Sequence, residues 1–242
     1  MPRFQDDFIA AAAKFGYREV KDLQDLDANN AVARPLRYIS TDGKRQDAAS
    51  SYVHPKLQDG KHPNLHVLVA SQVLRILFDD KRAVGVEFRP NPGFTEAPQT
   101  VQSVKARKLV VLSCGALGSP SVLERSGVGS LEVLEQAGIP QIVEVPGVGD
   151  NYQDHHLFMY SYRSDLAPDE TLDALIGGRL DVGELIKNQD KRLGWNAQDV
   201  GYRIRPTDDE VAALGPAFQE AWDKHYRDFP DRPLAIGAAI DR

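Results

Sequence analysis

The sequence predicts a mixed α/β (α+β) fold, and three observations support that prediction. The runs VLRILFD and AVGVEFR are apolar and rich in β-branched residues, and a charged turn at residues 79–82 separates them, which is typical of a β-meander. An apolar strand predicted at residues 108–113 runs through a turn of small residues into a helix. Near the start, apolar residues recur with helical spacing before Gly16, namely Phe4, Phe8, Ala11 and Phe15.

The remaining elements follow from local signals. The run LHVLVA at residues 65–70 and the residues 100–104 are predicted strands, whereas residues 130–137 are a predicted helix that leads into a strand at QIVEV. For the helix of SPSVLERSG, Ser119 is the predicted cap, Pro120 fits the first turn, and Gly127 suits the exit. After a turn signal at residues 41–43, the small residues of DAASSYVHPKL at 47–57 predict a tightly packed helix that Pro55 ends or kinks.

Composition limits the classes of function. The 242 residues are 42% hydrophobic, which is enough for a core, and the net charge of -6 argues against a nucleic-acid partner because cations are not in excess. No run approaches the roughly 18 apolar residues of a membrane helix, and MPRFQDDF lacks the apolar run of a signal peptide. We therefore expect no membrane partner and an intracellular location, cytoplasmic or peroxisomal. A single cysteine, Cys114, excludes an internal disulfide.

The most informative stretch is GALGSPSVLERSGVG, which begins at Gly115. It resembles the second signature of the glucose-methanol-choline (GMC) oxidoreductase family at every constrained position. A strand that enters small residues and then a capped helix exposes backbone N–H groups where no side chain blocks a cofactor. Without the match, the same glycines would be read as residues that permit tight turns and helix packing. The match favours the cofactor-binding interpretation.

The resemblance extends over about residues 42–155, through DGKRQDAASSYVHP, NLHVLVASQVLRILFDDKRAVGVEF and PGVGDNYQDH in the family's order. The later GYRIRPTDDEVAAL resembles the alcohol (methanol) oxidase branch. The resemblance implies a partial FAD-binding domain of Rossmann type at residues 1–157 and the beginning of an antiparallel-sheet substrate-binding domain at 158–242. The implied reaction is FAD-dependent oxidation of the CH–OH group of a small alcohol, with dioxygen reoxidising the flavin.

The resemblance also implies which residues contact FAD. Val73 is expected to approach the adenine through its backbone, and residues 114–116 are expected to form the turn near the dinucleotide. Asp154 and His155 are expected to lie near the domain junction. The full set of expected cofactor-binding residues is Val73, Cys114, Gly115, Ala116, Asp154 and His155. A plain core valine remains the alternative at Val73. Cys114 is expected to be a small buried filler rather than a redox group. No metal ligand is assigned, because adjacent residues such as Asp154 and His155 rarely converge on one ion.

Two family features are missing from these residues. GVGSLE and GVGDNY each lack the third glycine of a dinucleotide fingerprint, and the general base that the family supplies, a histidine paired with histidine or asparagine, has no counterpart here. We therefore name no catalytic residue and expect a fragment that is inactive alone and binds FAD weakly or not at all. The alternative is a truncated, non-catalytic paralogue that acts as an interaction module. Formation of a homo-oligomer is left open.

Overall fold

The computed structural model of the chain describes residues 3–25, 27–167, 170–195 and 198–240. Its contacts divide the chain into two compact units. Unit 1 comprises Met1–Lys61 and Ser161–Arg242, and unit 2 comprises His62–Tyr160. Within the described ranges, no helix combines the length and the apolar character that crossing a bilayer requires.

Short strands and helices are interspersed along the chain. In chain order the strands are β1 Arg18–Glu19, β2 Ala31–Ala33, β3 Ser71–Asp79, β4 Arg82–Pro90, β5 Gln102–Lys105, β6 Val128–Gly129, β7 Val143–Glu144, β8 Gln198–Ile204 and β9 Ala235–Ile240. The α-helices are α1 Phe4–Lys14, α2 His54–Gln58, α3 Gly115–Arg125, α4 Leu131–Gln136, α5 Asp173–Ile176, α6 Val182–Lys187, α7 Asp208–Ala213 and α8 Pro216–His225. A π-helical segment covers Ala49–Val53, and a 3-10 helix covers Lys191–Gly194.

Unit 1 is built on a sheet with the strand order β1-β2-β8-β9. The β2–β8 and β8–β9 pairs are antiparallel, and the β1–β2 pair is parallel. Helix α1, which the apolar spacing predicts, packs on this sheet through a core of Ile9, Val32 and Val200. Burying side chains of this size stabilises the fold by about 1.5–3 kcal/mol each. The sheet and α1 therefore form the core of unit 1.

Buried polar groups tie α1 to the rest of unit 1. The side-chain amide of Gln5 donates to the backbone carbonyl of Asp199, and its oxygen accepts from Arg34 at 2.7 Å. The fully buried carboxylate of Asp199 accepts a hydrogen bond of 2.8 Å from the Trp195 indole. Each contact gives a partner to a group that would otherwise lose its solvation without compensation.

Arg205 organises the C-terminal end of α8. Its guanidinium donates to the carbonyl oxygens of Tyr226 at 2.7 Å and Arg232 at 2.9 Å, and it lies 4.5 Å from the ring centroid of the buried Trp222. A cation near the helix C-terminus also complements the partial negative charge of that end. Arg205 therefore ties β8 to α8, which follows α7 after a break at Leu214 and Gly215.

Unit 2 contains the predicted meander. Strands β3, β4 and β5 form an antiparallel sheet in that order, which confirms the strands read from VLRILFD, AVGVEFR and residues 100–104. The β3–β4 register passes from Val73 opposite Phe88 to Arg75 opposite Glu87, so Leu74 is the extra residue of a β-bulge. Helix α4 and the short strand β7 also form as predicted, with β7 parallel to β6.

Two predicted strands are wrong. Residues 65–70 and 108–113 form no strand in the structure. A strand exists only where a neighbouring backbone completes its hydrogen-bond ladder, and neither segment belongs to a sheet of the described residues. Their apolar side chains are accordingly exposed, as Val69 and Leu109 show. β-propensity identified the segments, but it did not supply their partners.

The helix predicted for DAASSYVHPKL at 47–57 is confirmed, because helical structure covers residues 48–58. The π-helical turn at Ala49–Val53 passes directly into α2, and Pro55, in the first turn of α2, has no N–H to donate to a carbonyl of that π-helical turn. The change of helix type therefore occurs just before Pro55, rather than the helix ending there.

A first prediction concerns the close approach of Gly237 to Tyr202, which are paired across β8 and β9. A Cβ atom at Gly237 would overlap the Tyr202 ring, which also stacks on Phe8 with 5.9 Å between ring centroids. We expect Gly237→Ala to lower the free energy of unfolding by about 1–3 kcal/mol through overpacking. The control is Gly194→Ala, since a Cβ at Gly194 meets no atom within 4 Å. Equal melting temperatures for the two variants would contradict the prediction.

Candidate functional site

The candidate site in unit 2 begins with the turn at residues 114–116. Gly115 has a φ of +79°, a conformation that glycine adopts without the strain of a side chain, and a Cβ there would meet no atom within 4 Å. Helix α3 begins at this residue, so the N–H groups of its first turn have no acceptor inside the helix. Gly115, Ala116 and Leu117 are all exposed. The turn therefore presents backbone donors on an open surface.

The start of α3 differs from the prediction. The helix begins at Gly115, four residues before the predicted cap Ser119, although the predicted helical stretch and the exit at Gly127, with φ +81°, are confirmed. The Ser119 hydroxyl accepts a hydrogen bond of 2.9 Å from the backbone N–H of Cys114, so it stabilises the helix start from inside the helix. Pro120 has no N–H and cannot donate to the Ala116 carbonyl. That carbonyl therefore lacks the helical hydrogen bond that residue 120 would normally give it.

Cys114 is exposed, so the prediction of a buried filler is wrong. The preceding residues 108–113 belong to no sheet of the described residues, so they do not provide the strand that was expected to lead into the turn. One contact does constrain the side chain. A Cβ at Gly118, one turn further along the helix, would lie 2.8 Å from the Cβ of Cys114. This close approach requires glycine at position 118.

The C-terminal end of α3 is joined to β3. The Arg125 Nε donates to the Leu74 carbonyl at 2.8 Å, and the Ile76 N–H donates to the Ser126 Oγ at 2.8 Å. Ser126 is 5% exposed, so the second bond is buried. Val73 is half-buried beside the bulge residue Leu74. The structure thus brings the strand of Val73 to one end of the helix that the 114–116 turn begins.

Asp154 and His155 lie on an exposed segment. The Asp154 carboxylate accepts from the His155 N–H at 2.8 Å and from the Tyr152 hydroxyl at 3.0 Å, and these two hydrogen bonds lower the pKa of Asp154 below its ordinary value. Both bonds are local in sequence and do not reach residues 114–116. The preceding loop does approach α3, because a Cβ at Gly149 would lie 3.2 Å from the Glu124 carboxylate oxygen.

Sequence reasoning overlooked the linking residues Glu124, Arg125 and Ser126. They belong to the ERSG part of the signature, which is the signal that could have identified them. Their partners Leu74 and Ile76 lie about fifty positions away, so no local pattern shows the contact. The signature therefore encodes a helix that connects β3, the turn and the loop near Gly149.

Unit 1 contains an apolar cavity. Its volume is about 360 Å³, and it lies between α1 and the sheet, lined by Phe8, Ala11, Ala12, Phe15, Tyr17, Val32, Tyr202 and Ile204. This lining offers space for apolar groups and no carboxylate, imidazole or thiol. Within the described residues of both units, no group of three or more histidine, cysteine or acidic side chains is placed to hold a metal ion.

Comparison with known proteins identifies the family. Residues 1–157 match the GMC oxidoreductase family, and the chain belongs to it. An alcohol oxidase of Candida boidinii is 34% identical over 239 residues, which is 96% of this chain and 35% of that protein. An oxygen-dependent choline dehydrogenase of Cronobacter sakazakii is 39% identical over 152 residues, which is 63% of this chain and 25% of that protein. The chain thus spans about a third of the length of its alcohol oxidase relatives, as the 35% coverage shows.

Solved structures agree with the fold. An FAD-dependent oxidoreductase from Chaetomium thermophilum superimposes with a TM-score of 0.71 at 21% identity, covering 97% of this chain and 44% of that one. A formate oxidase variant from Aspergillus oryzae gives a TM-score of 0.71 at 18% identity, covering 96% of this chain and 38% of that one. The chain therefore shares its mixed helix and sheet architecture with these two solved structures.

A second prediction tests the buried bond of Ser126. We expect Ser126→Ala to lower the free energy of unfolding by about 1–3 kcal/mol, because the buried Ile76 N–H loses its acceptor. Ser121→Ala is the matched control in the same helix, since the Ser121 hydroxyl donates only to the Leu117 carbonyl of its own helix. Chemical unfolding of the two variants measures the difference. If Ser121→Ala were as unstable as Ser126→Ala, the hydrogen bond to β3 would add no stability beyond that of a hydroxyl bond within the helix.

A third prediction concerns the ionisation of Asp154. Removing one hydrogen bond to the carboxylate with Tyr152→Phe should raise the pKa of Asp154 towards its ordinary value. Because the folded-state pKa is lowered, the associated stabilisation is present at neutral pH and is lost as the pH falls through that pKa. An NMR titration of the carboxyl carbon measures the shift, with Tyr162→Phe as the control. An unchanged Asp154 pKa in Tyr152→Phe would refute the assignment.

Proposed function

We propose that this chain is part of an FAD-dependent oxidoreductase that acts on the CH–OH group of alcohols and is inactive as the 242 residues alone. Family membership supports the class of chemistry, and identity to alcohol oxidases over nearly the whole chain supports the branch. The observation that carries the proposal is the exposed helix start at Gly115, where backbone donors face an open surface with no side chain in front of them.

The residues present fit a dinucleotide. The first-turn N–H groups of α3 are suited to an anionic or carbonyl oxygen, because they lack helical acceptors and lie at the positive end of the helix dipole. We assign Gly115 and Ala116 to this contact, and Cys114, whose own N–H donates to the Ser119 hydroxyl, to the same cofactor-facing turn. Val73 is proposed to meet the adenine through its backbone, and Asp154 and His155 to lie near the domain junction. Residues 1–157 would belong to the FAD-binding domain and 158–242 to the beginning of the substrate-binding domain.

The protein residues contribute binding and orientation rather than bond-breaking chemistry. When bound, FAD accepts a hydride from the alcohol carbon. The turn at Gly115 offers pre-oriented donors that cost little reorganisation, and α3 holds that turn relative to β3 through Arg125 and Ser126. We assign no general base among the 242 residues. The proposed substrate is a small alcohol, and the proposed location is intracellular, cytoplasmic or peroxisomal.

One observation favours the alternative function of an interaction module. Unit 2 exposes apolar side chains in consecutive positions, at 67–69 and again in the run Leu157, Phe158, Met159 and Tyr160. Such surfaces are typical of regions that another polypeptide covers. A non-catalytic partner-binding role would use them without any flavin.

Expression of the complete reading frame around this segment separates the two functions. The oxidoreductase proposal expects a yellow protein with about one flavin per chain, whose visible absorbance bleaches when a primary alcohol is added without oxygen. A colourless, stably folded product that co-purifies with a protein partner would support the interaction module instead.

A fourth prediction tests the turn within that complete protein. We expect Gly115→Val to abolish flavin loading, because a β-branched residue at φ +79° costs on the order of 1–3 kcal/mol in strain and fills the open space before the turn. Cys114→Ala should load flavin almost as well as the parent. Flavin absorbance per mole of folded protein compares the two. Equal loading, or a loss only in Cys114→Ala, would show that the turn does not approach the cofactor.

A further inference from the structure

The outer edge of β3 is closed by side chains instead of a strand. β3 is the first strand of the β3-β4-β5 sheet, so one of its edges has no strand partner among the described residues. On that edge, the Leu74 carbonyl accepts from Arg125, and the Ile76 N–H donates to Ser126. The two side chains therefore occupy the hydrogen-bonding positions that an additional strand would use.

These contacts occur at the bulge. Leu74 is the extra residue between the pairs Val73–Phe88 and Arg75–Glu87, so its carbonyl has no fixed place in the ladder with β4. Because the ladder is locally disrupted at a bulge, the pairing with β4 constrains the Leu74 peptide less than it constrains a regular pair. The Arg125 guanidinium supplies an additional constraint, because its planar Nε–H is directed by the rigid fork of the side chain.

The bulge lies directly beside Val73. Arg125 bonds the Leu74 carbonyl, which belongs to the peptide unit between Leu74 and Arg75, whereas the Val73 carbonyl belongs to the preceding unit. Only the φ and ψ angles of Leu74 separate the two units, so fixing the second restricts the orientation of the first. Adenine presents a hydrogen-bond donor next to acceptors, so a main-chain group can recognise it only from a fixed direction. The orientation of the bulge therefore sets the direction in which the backbone of Val73 can bond.

We propose that Arg125 is a positioning residue for the adenine end of FAD. It holds the Leu74 carbonyl and thereby fixes the main chain of Val73 for the base, without contacting the cofactor itself. Ser126 also holds α3 against β3, because its buried hydroxyl accepts the hydrogen bond from the Ile76 N–H. This role rests on the proposed function, because it requires that Val73 meets adenine.

The first measurement needs no cofactor. Arg125→Lys keeps the charge but replaces the planar donor by a flexible ammonium, and we expect amide hydrogen exchange at residues 73–76 to become about tenfold faster in the 242-residue chain. The control is Arg82→Lys in β4, whose guanidinium makes a single long bond of 3.4 Å to the Arg107 carbonyl. Unchanged exchange at 73–76 in Arg125→Lys overturns the proposal, since the bulge would then be held by something else.

The second measurement uses the complete reading frame with the same substitutions. After flavin removal, FAD, ADP and riboflavin are titrated separately. Arg125→Lys should weaken FAD and ADP by about tenfold and leave riboflavin unchanged, because only the first two carry adenine. Arg82→Lys should match the parent for all three ligands.

The outcomes separate the two levels of the argument. If the parent binds FAD and Arg125→Lys binds FAD and ADP equally well, the positioning role fails while the proposed function stands. If riboflavin weakens as much as ADP, the effect is general destabilisation and the positioning role again fails. If the parent binds neither FAD nor ADP, the proposed function fails, and the positioning role is overturned with it.

Discussion

The buried hydrogen bond from the Ile76 N–H to the Ser126 Oγ is the constraint on which the placement of α3 in unit 2 depends. An N–H on a strand edge that is removed from water costs about 1–3 kcal/mol if it finds no acceptor. Ser126 provides that acceptor at 2.8 Å, so the C-terminal end of α3 must lie against β3. Because α3 is a rigid rod of eleven residues, its other end is then placed as well.

That arrangement divides the helix into two ends with different physical tasks. The end at Arg125 and Ser126 is satisfied by contacts with β3, and the loop at Gly149 lies close against Glu124. The end at Gly115 is exposed and keeps its backbone donors unpaired within the helix. One end of the helix is therefore fixed, while the other remains accessible.

Sequence patterns predicted the elements whose stabilisation is local. Helix α1, the β3–β4 turn and helix α4 follow from apolar spacing, turn residues and capping positions that lie within a few residues of each other. The strands expected at 65–70 and 108–113 failed because strand propensity describes a side chain's preference for a pleated surface and says nothing about which backbone lies alongside. For the candidate site, the small residues at 114–116 indicated the positive φ at Gly115, whereas the contact between Arg125 and Leu74 depends on a bulge that no periodicity reveals.

Arg125 bonds to the main chain of Leu74, so the two positions differ in which substitutions they can accept. A carbonyl is common to every amino acid, so the guanidinium does not distinguish leucine from another residue at position 74. Position 74 is then free to change with the packing of its own surroundings, while position 125 keeps a demand for one particular side chain. Tolerance to substitution is therefore asymmetric across a single hydrogen bond, with the donor restricted and the acceptor almost unrestricted.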